Sequence, residues 1–143
     1  MRGTPKLPYD SFVTAFGHHI AIEWKLHKSR QAFAVNRVPE HQVRGLTGVA
    51  NCGGTALLMI GLNTEGVIRA MPIPDWTNVI DGLGRKSVPL NQLPGVTITR
   101  LFRPARWDVQ TWWDKLVLPK IYANARYVTA WIEQNMEGNG IEG

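Results

Sequence analysis

The stretch DSFVTAFGHHIAIEWK, residues 10–25, decides the fold of this chain. It contains two runs that are typical of β-strands, at residues 10–15 and 19–25. A short turn at Phe16-Gly17 separates the two runs. The pattern predicts an antiparallel β-hairpin whose strands are joined by a two-residue turn.

The two ends of this hairpin carry Asp10, Glu23 and Lys25. With a two-residue turn, Asp10 falls directly opposite Glu23 across the antiparallel pair. Glu23 and Lys25 project from the same face of their strand, because side chains alternate between the two faces. Ile20 and Ile22 then form the buried face, and the acidic face is expected to point away from the core.

This arrangement suits metal-assisted phosphodiester hydrolysis. Two opposing carboxylates, with waters and a substrate phosphate, make the oxygen-rich site that Mg²⁺ prefers. The lysine would help to position or activate the attacking water, or stabilise the charge that develops on phosphorus. The alternative is a solvated strand edge that carries Glu and Lys without any chemical role.

Basic residues near the hairpin favour the first interpretation. Residues 25–44 are rich in Lys and Arg and contain one acid, Glu40. Arg100, Arg103 and Arg106 form a second cluster, for which an ordinary solvated face is the alternative. The whole chain has 16 Lys and Arg against 11 Asp and Glu, a formal net charge of +5. Two basic clusters around a carboxylate pair fit a track for a phosphate backbone.

Length and composition are those of a single globular domain, residues 1–143, with 44% apolar residues. No apolar run approaches the roughly 20 residues that a membrane span requires. The N-terminus lacks the apolar core of a signal peptide, so the expected location is the cytoplasm. Cys52 is the only cysteine, which excludes an internal disulfide and a multi-cysteine zinc site. Its side chain is expected to be buried.

The rest of the chain predicts an α/β fold, a mixed β-sheet flanked by helices. Residues 55–62 are apolar on both faces, as in a central strand that is covered on both sides. The other predicted elements before residue 90 are a basic loop at 26–38, a helix from Pro39 to about Cys52 ended by Gly53-Gly54, a strand at 67–71, and a short helix to about Gly82 with Asp75 as its N-cap. After them come a strand at 96–102 and helices from Trp107 to about Met136 that Pro119 breaks or restarts. The expected division is an α/β core, 1–104, and C-terminal helices, 105–143.

The stretch from Tyr9 to about Leu93 resembles the PD-(D/E)xK nuclease superfamily, and most closely the RecU-type Holliday junction resolvases. The residues that carry the resemblance, in the family's order, are Tyr9-Asp10, Ile22-Glu23-Trp24-Lys25, Glu40-His41-Gln42 and Gly84-Arg85-Lys86-Ser87. The resemblance implies a restriction-endonuclease-like mixed sheet flanked by helices. The C-terminal helical segment lies outside the matched part.

The resemblance also implies roles for the matched residues. Asp10, Glu23 and the backbone carbonyl of Trp24 would bind Mg²⁺, for which Mn²⁺ can substitute, and no small-molecule cofactor is expected. Lys25 would act on the attacking water or on the transition-state charge, and Gln42 would orient the lysine or the water. The expected DNA contacts are Lys28, Arg30, Arg37, Arg44, Arg85 and Lys86.

The implied function is a Mg²⁺-dependent, structure-selective DNA endonuclease, a homodimeric Holliday junction resolvase of DNA recombination and repair. Two alternatives stay open: another nuclease of the superfamily, restriction-like or end-processing, and a non-catalytic DNA-binding module that retains the fold. The superfamily often supplies a further acid from a helix upstream of the hairpin, and none of the nine residues before Asp10 is acidic. That departure fits a truncation, a lost domain or a carboxylate from another subunit, and it favours the non-catalytic alternative.

Overall fold

A computed structural model of the chain describes residues 9–15, 17–102 and 105–138. The strands in these ranges are β1 Ser11–Ala15, β2 His18–His27, β3 Phe33–Ala34, β4 Thr55–Leu62, β5 Val67–Pro72, β6 Ser87–Val88, β7 Val96–Ile98, β8 Arg100–Phe102 and β9 Ala105–Trp107. The α-helices are α1 Glu40–Asn51, α2 Ile73–Leu83, α3 Val109–Trp112 and α4 Leu118–Gly138. A π-helical turn, Trp113–Val117, joins α3 to α4, and 3-10 turns occur at Val35–Arg37 and Leu90–Gln92.

A five-stranded sheet with the order β1-β2-β4-β5-β7 forms the centre of the fold. The pair β2 and β4 is parallel, and the other neighbouring pairs are antiparallel. The central place of β4 follows from its sequence, because a strand that is apolar on both faces must be covered on both. The predicted central strand at 55–62 is confirmed.

Helices cover both faces of this sheet. On one face, here called the near face, α1 and α2 pack around Phe33, Leu46 and Trp76. The opposite face, here called the far face, is covered by residues 112–121, whose Val117 is fully buried against the strands. The prediction of a mixed α/β sheet flanked by helices is therefore confirmed. None of the helices in the described ranges has the length and apolarity that crossing a membrane requires.

The first hairpin has the register expected from its turn. The ladder runs from Ser11 opposite Ile22 to Ala15 opposite His18. The turn therefore comprises positions 16 and 17, and position 16 lies outside the described residues. Gly17 has φ 71°, a conformation that favours glycine. The short turn fixes which face of β2 each side chain occupies.

The connection from α1 to β4 depends on two glycines. Gly53 has φ 90° and follows the last turn of α1, as predicted for a helix end. Gly54 lies against β2, because a Cβ atom placed on it would be 2.8 Å from the His19 carbonyl oxygen and 2.8 Å from Val49 Cγ1. The backbone of this corner therefore approaches β2 more closely than any side chain would allow.

We expect Gly54→Ala to lower the free energy of unfolding by about 2–3 kcal/mol, since the new methyl group meets a backbone oxygen that cannot move independently. Urea denaturation of the full chain measures this change. Gly48→Ala is the matched control, because a Cβ atom at Gly48 in α1 meets nothing within 4 Å. The control should raise stability by about 0.5–1 kcal/mol. Equal effects of the two changes would contradict the close approach at Gly54.

Three expectations about local structure are wrong. The predicted strand at 96–102 is interrupted at Thr99, because β7 joins the main sheet whereas β8 pairs with β9. Asp75 is not the N-cap of α2 but lies in its first turn, because the helix begins at Ile73 after Pro72, and Pro72 and Pro74 suit a helix start. Cys52 is exposed, because α1 ends at Asn51 and the chain turns away from the core there.

The C-terminal helix continues through Pro119 without a break. Pro119 is the second residue of α4, directly after the π-helical turn, in which the Leu118 N–H bonds to the Trp113 carbonyl oxygen. The change of hydrogen-bond register at that point accommodates a residue that has no N–H to donate. The helical segment from Val109 to Gly138 is therefore continuous.

Candidate metal centre

Asp10 lies in a bend directly before β1, at the end of the hairpin that is farther from the turn. Its backbone N–H donates to the Ile22 carbonyl oxygen at 3.1 Å. Its Oδ2 atom accepts a hydrogen bond of 2.9 Å from the Trp24 backbone N–H. Two bonds to β2 thus hold an exposed carboxylate beside the strand position of Glu23, although Asp10 itself is outside the ladder.

Glu23 lies on the near face of β2 and is 1% exposed. Its Oε1 atom is 3.1 Å from Lys25 Nζ. Its Oε2 atom is buried and has no hydrogen-bond partner. The expectation that the acidic face points away from the core is wrong, because α1 and α2 cover the near face and enclose Ala21 as well as Glu23.

Burial raises the pKa of the Glu23 carboxyl above its usual value, and the negative charge of Asp10 raises it further. The hydrogen bond and the positive charge of Lys25 lower this pKa, and so does the backbone N–H of Asp10. A buried carboxylate oxygen without a partner is unfavourable unless a cation or a proton neutralises it. The Glu23 carboxylate therefore favours a proton or a second cation in addition to Lys25.

Gln42 lies on α1, the helix that packs over the near face of β2. Its Oε1 atom is buried and has no hydrogen-bond partner. Two unpartnered side-chain oxygens, one on Gln42 and one on Glu23, therefore lie on elements that pack against each other. The prediction that Gln42 takes part in the site was made from the resemblance alone, and its unsatisfied oxygen is an independent reason to keep it.

The available donors fit a hard divalent cation. Carboxylate and amide oxygens are the protein ligands that Mg²⁺ prefers, and Mg²⁺ commonly keeps several waters beside one or two carboxylates. Within the described ranges, no group of three or more His, Cys, Asp and Glu side chains could hold a metal ion. A cation here would therefore be bound by Asp10 and Glu23 together with neutral oxygens, water or substrate.

Trp24 connects the site to the opposite side of the sheet. Its backbone N–H binds Asp10, and its indole Nε1–H donates to Ser11 Oγ at 3.1 Å. The side chain projects to the far face and is 46% exposed. Sequence reasoning missed this support of Asp10, and the Trp24 carbonyl as a metal ligand stays a prediction.

Most of the predicted DNA contacts are accessible. Lys28 and Arg30 are exposed in the loop after β2, Arg44 is exposed on α1, and Arg85 and Lys86 are exposed after α2. Arg85 and Lys86 also line a groove between the start of α1 and the end of α2. The side chains of Arg100, Arg103 and Arg106 lie outside the described part, so that cluster stays a prediction.

Arg37 differs from the other predicted contacts because its guanidinium has internal partners. Nη1 donates to His27 Nδ1 at 3.1 Å, and Nη2 donates to the Leu26 carbonyl oxygen at 2.7 Å. Since Nδ1 accepts this bond, His27 carries its proton on Nε2, which donates to the Gln31 carbonyl oxygen at 2.7 Å. Arg37 thus anchors the basic loop to the end of β2.

The burial of Glu23 predicts how stability depends on pH. Because its folded pKa is raised, its contribution to stability is present below about pH 4.5 and is lost as pH rises through the folded value. We expect the free energy of unfolding of the parent, relative to Glu23→Gln, to fall as pH is raised from 4 to 8 in EDTA.

Mg²⁺ should reverse this loss at pH 8 for the parent only, by about 1.4 kcal/mol at a concentration ten times the dissociation constant. The free energy of unfolding is compared between the parent and Glu23→Gln because the contribution of His18 to stability has the opposite dependence on pH and is present in both. Burial, Lys120 and His19 lower the pKa of His18, so its contribution is lost as pH falls below 6.5. If Mg²⁺ raises the free energy of unfolding of the parent no more than that of Glu23→Gln, metal binding at Glu23 is contradicted.

No model of a known protein family matches the chain, and no curated protein matches it in sequence.

Proposed function

We propose that this chain is a Mg²⁺-dependent DNA endonuclease that cleaves branched DNA. The observation that carries the proposal is the buried Glu23 carboxylate, whose Oε2 atom lacks a partner while Oε1 lies 3.1 Å from Lys25 Nζ. A buried carboxyl group with a raised pKa beside a specific charge partner is typical of functional sites. A purely structural ion pair would be expected to satisfy both carboxylate oxygens.

The site residues have separable roles in this proposal. Asp10 and Glu23 would hold the Mg²⁺ ion, which supplies charge neutralisation at phosphorus and a water of lowered pKa when it is bound. Lys25 holds the Glu23 carboxylate and presents a positive charge where negative charge develops in the transition state. Gln42 offers its free amide oxygen to orient a water or the lysine.

Contacts to phosphates, not to base edges, would bind the substrate. Exposed cations follow β2 at Lys28 and Arg30 and lie on α1 at Arg44, so recognition would depend on backbone charge and shape. The resemblance to RecU-type resolvases extends the proposal to four-way junctions that a homodimer cuts in two strands. A homodimer suits such a substrate because two equivalent sites match paired strands.

The test is cleavage of an end-labelled synthetic four-way junction in Mg²⁺ and in EDTA, beside linear duplex and flap substrates of the same sequence. We expect paired symmetric cuts in the junction that require Mg²⁺. Cleavage of linear duplex at an equal rate would instead favour a restriction-like or end-processing nuclease. Absence of metal-dependent cleavage of every substrate would overturn the proposal.

A second candidate is a non-catalytic DNA-binding module. Two observations favour it: no third carboxylate joins Asp10 and Glu23 in the described part of the chain, and the Trp24 N–H occupies one Asp10 oxygen. Such a module would bind junctions without cutting them. Its affinity would fall with salt, with a slope in log K of about −0.9 for each phosphate contact, and Lys28→Ala would reduce that slope by about 0.9.

A further inference from the structure

Strand β1 forms one edge of the five-stranded sheet, and β2 is its only neighbour within the described residues. Alternate N–H and C=O groups of an edge strand point away from its neighbour, so they can pair with another strand. Proteins usually protect such edges with charged side chains, proline or bulges. The residues of β1, Ser-Phe-Val-Thr-Ala, include no charge and no proline.

Exposed apolar side chains lie on both faces of this edge. Phe12 is 58% exposed on the near face, beside His19, and Val13 is 50% exposed on the far face. An uncharged edge with apolar groups on both sides is a surface for strand addition, because a paired strand would cover backbone and side chains together.

We propose that β1 pairs with β1 of a second copy of this chain, antiparallel and about a two-fold axis at Val13. Complete overlap of two five-residue strands sets this register. Val13 then lies opposite Val13 of the partner subunit, and Phe12 lies opposite the partner subunit's Thr14. The pairing is self-complementary, since it joins apolar to apolar or small polar groups and opposes no like charges.

The C-terminal helix provides a second reason to choose a copy of this chain. The helical segment crosses the far face from β7, where Trp112 packs near Ile98, towards β2, where the charge of Lys120 acts on His18. After Asn124, whose side-chain amide donates to the Gly53 carbonyl oxygen, the described side chains of α4 are exposed.

Residues 125–138 continue this helix for about 21 Å in the direction that leads from β7 past β2. Five strand residues alone bury too little surface for a stable dimer, which needs roughly 1,200 Å² or more. The part of α4 after Asn124, with Ile132 45% exposed, offers additional surface in that direction. Edge pairing and this helix together can form an interface of the required size.

This dimer would put both near faces on one side of a continuous ten-stranded sheet, because a two-fold axis perpendicular to a sheet preserves its faces. Asp10 of each copy would lie six strand positions from its counterpart, about 20 Å at 3.4 Å per residue. Two candidate metal centres would then face one duplex or junction. Only this consequence rests on the proposed function, since the pairing itself does not depend on metal or DNA.

The first test is the mass of the full chain in solution by multi-angle light scattering at physiological salt. We expect the parent to have twice the 16.0 kDa of one chain at micromolar concentration. Val13→Lys should have the mass of one chain, because it places two ammonium groups opposite each other at the axis. Thr99→Lys, an exposed position just after the opposite edge strand β7, should remain dimeric. A monomeric parent or a dimeric Val13→Lys would overturn the proposal.

The second test checks the register. In a Cys52→Ser background, Val13→Cys should give a disulfide-linked dimer on mild oxidation, because the two new thiols lie opposite each other. Ala15→Cys should not, because its counterpart lies at the other end of the paired strands. Equal cross-linking of the two variants would show random encounter and contradict the two-fold pairing at Val13. Both tests are independent of cleavage, so their failure would leave the proposed function to its own assay.

Discussion

Replacing Glu23 with glutamine is expected to lower the rate of Mg²⁺-dependent junction cleavage by at least about 100-fold, the loss typical of removing one preorganised electrostatic group. Glutamine keeps the shape of the side chain but removes the charge that would neutralise the metal. Binding of the junction should change little, because no basic residue is altered. Single-turnover cleavage and a binding titration in Ca²⁺ or EDTA measure the two quantities separately.

The control for this variant is Glu65→Gln. Glu65 is an exposed acid in the turn between β4 and β5, so its replacement changes the net charge equally without touching the site. It should cleave at the parent rate. If Glu23→Gln also cleaves at the parent rate, the assignment of the metal centre to Glu23 is wrong, whatever the activity of the chain.

The parts of the fold that depend on local pattern were predictable. The two-residue turn determined the pairing of β1 with β2, because each register places different side chains opposite one another. Thr55–Leu62 could be recognised as a central strand because it lacks a polar face. In both places one short segment contains all the information that the prediction needs.

The parts that depend on distant contacts were not predictable. Glu23 is buried because α1 and α2 close over the near face, and nothing in the hairpin itself indicates that cover. The strand predicted at 96–102 divides because β8 has a nearer partner in β9 than in the main sheet. Ala21 was the available indication for Glu23, since a small apolar residue on the same face as the acid suggests that the face is covered.

The candidate site was predicted as a set of residues, whereas its supporting contacts were not. Asp10, Glu23 and Lys25 could be selected from spacing and resemblance. The hydrogen bond from the Trp24 N–H to Asp10 and the internal bonds of Arg37 depend on side-chain geometry that no sequence pattern encodes. Arg37 shows the consequence, because a basic residue that the sequence assigns to DNA also anchors the loop.

Replacing Lys25 with methionine is expected to have the largest effect on stability among changes at the site. Methionine keeps the aliphatic part of the side chain but leaves the buried Glu23 carboxylate without its cation. We expect a loss of about 2–3 kcal/mol at pH 8 in EDTA, below the range for fully buried pairs because Lys25 is partly exposed. The loss should shrink as pH falls, since protonation removes the unpaired charge. Urea denaturation at pH 5 and pH 8 measures both values.

The double variant, Lys25→Met with Glu23→Gln, separates stability from chemistry. Removing both charges should return the free energy of unfolding at pH 8 to within about 1 kcal/mol of the parent, because no buried charge remains unpaired. Cleavage should stay as low as in Glu23→Gln. If the double variant is instead as unstable as Lys25→Met, the lysine contributes packing and does not neutralise Glu23. Recovery of stability without recovery of cleavage would mean that cleavage requires this ion pair whereas the fold does not.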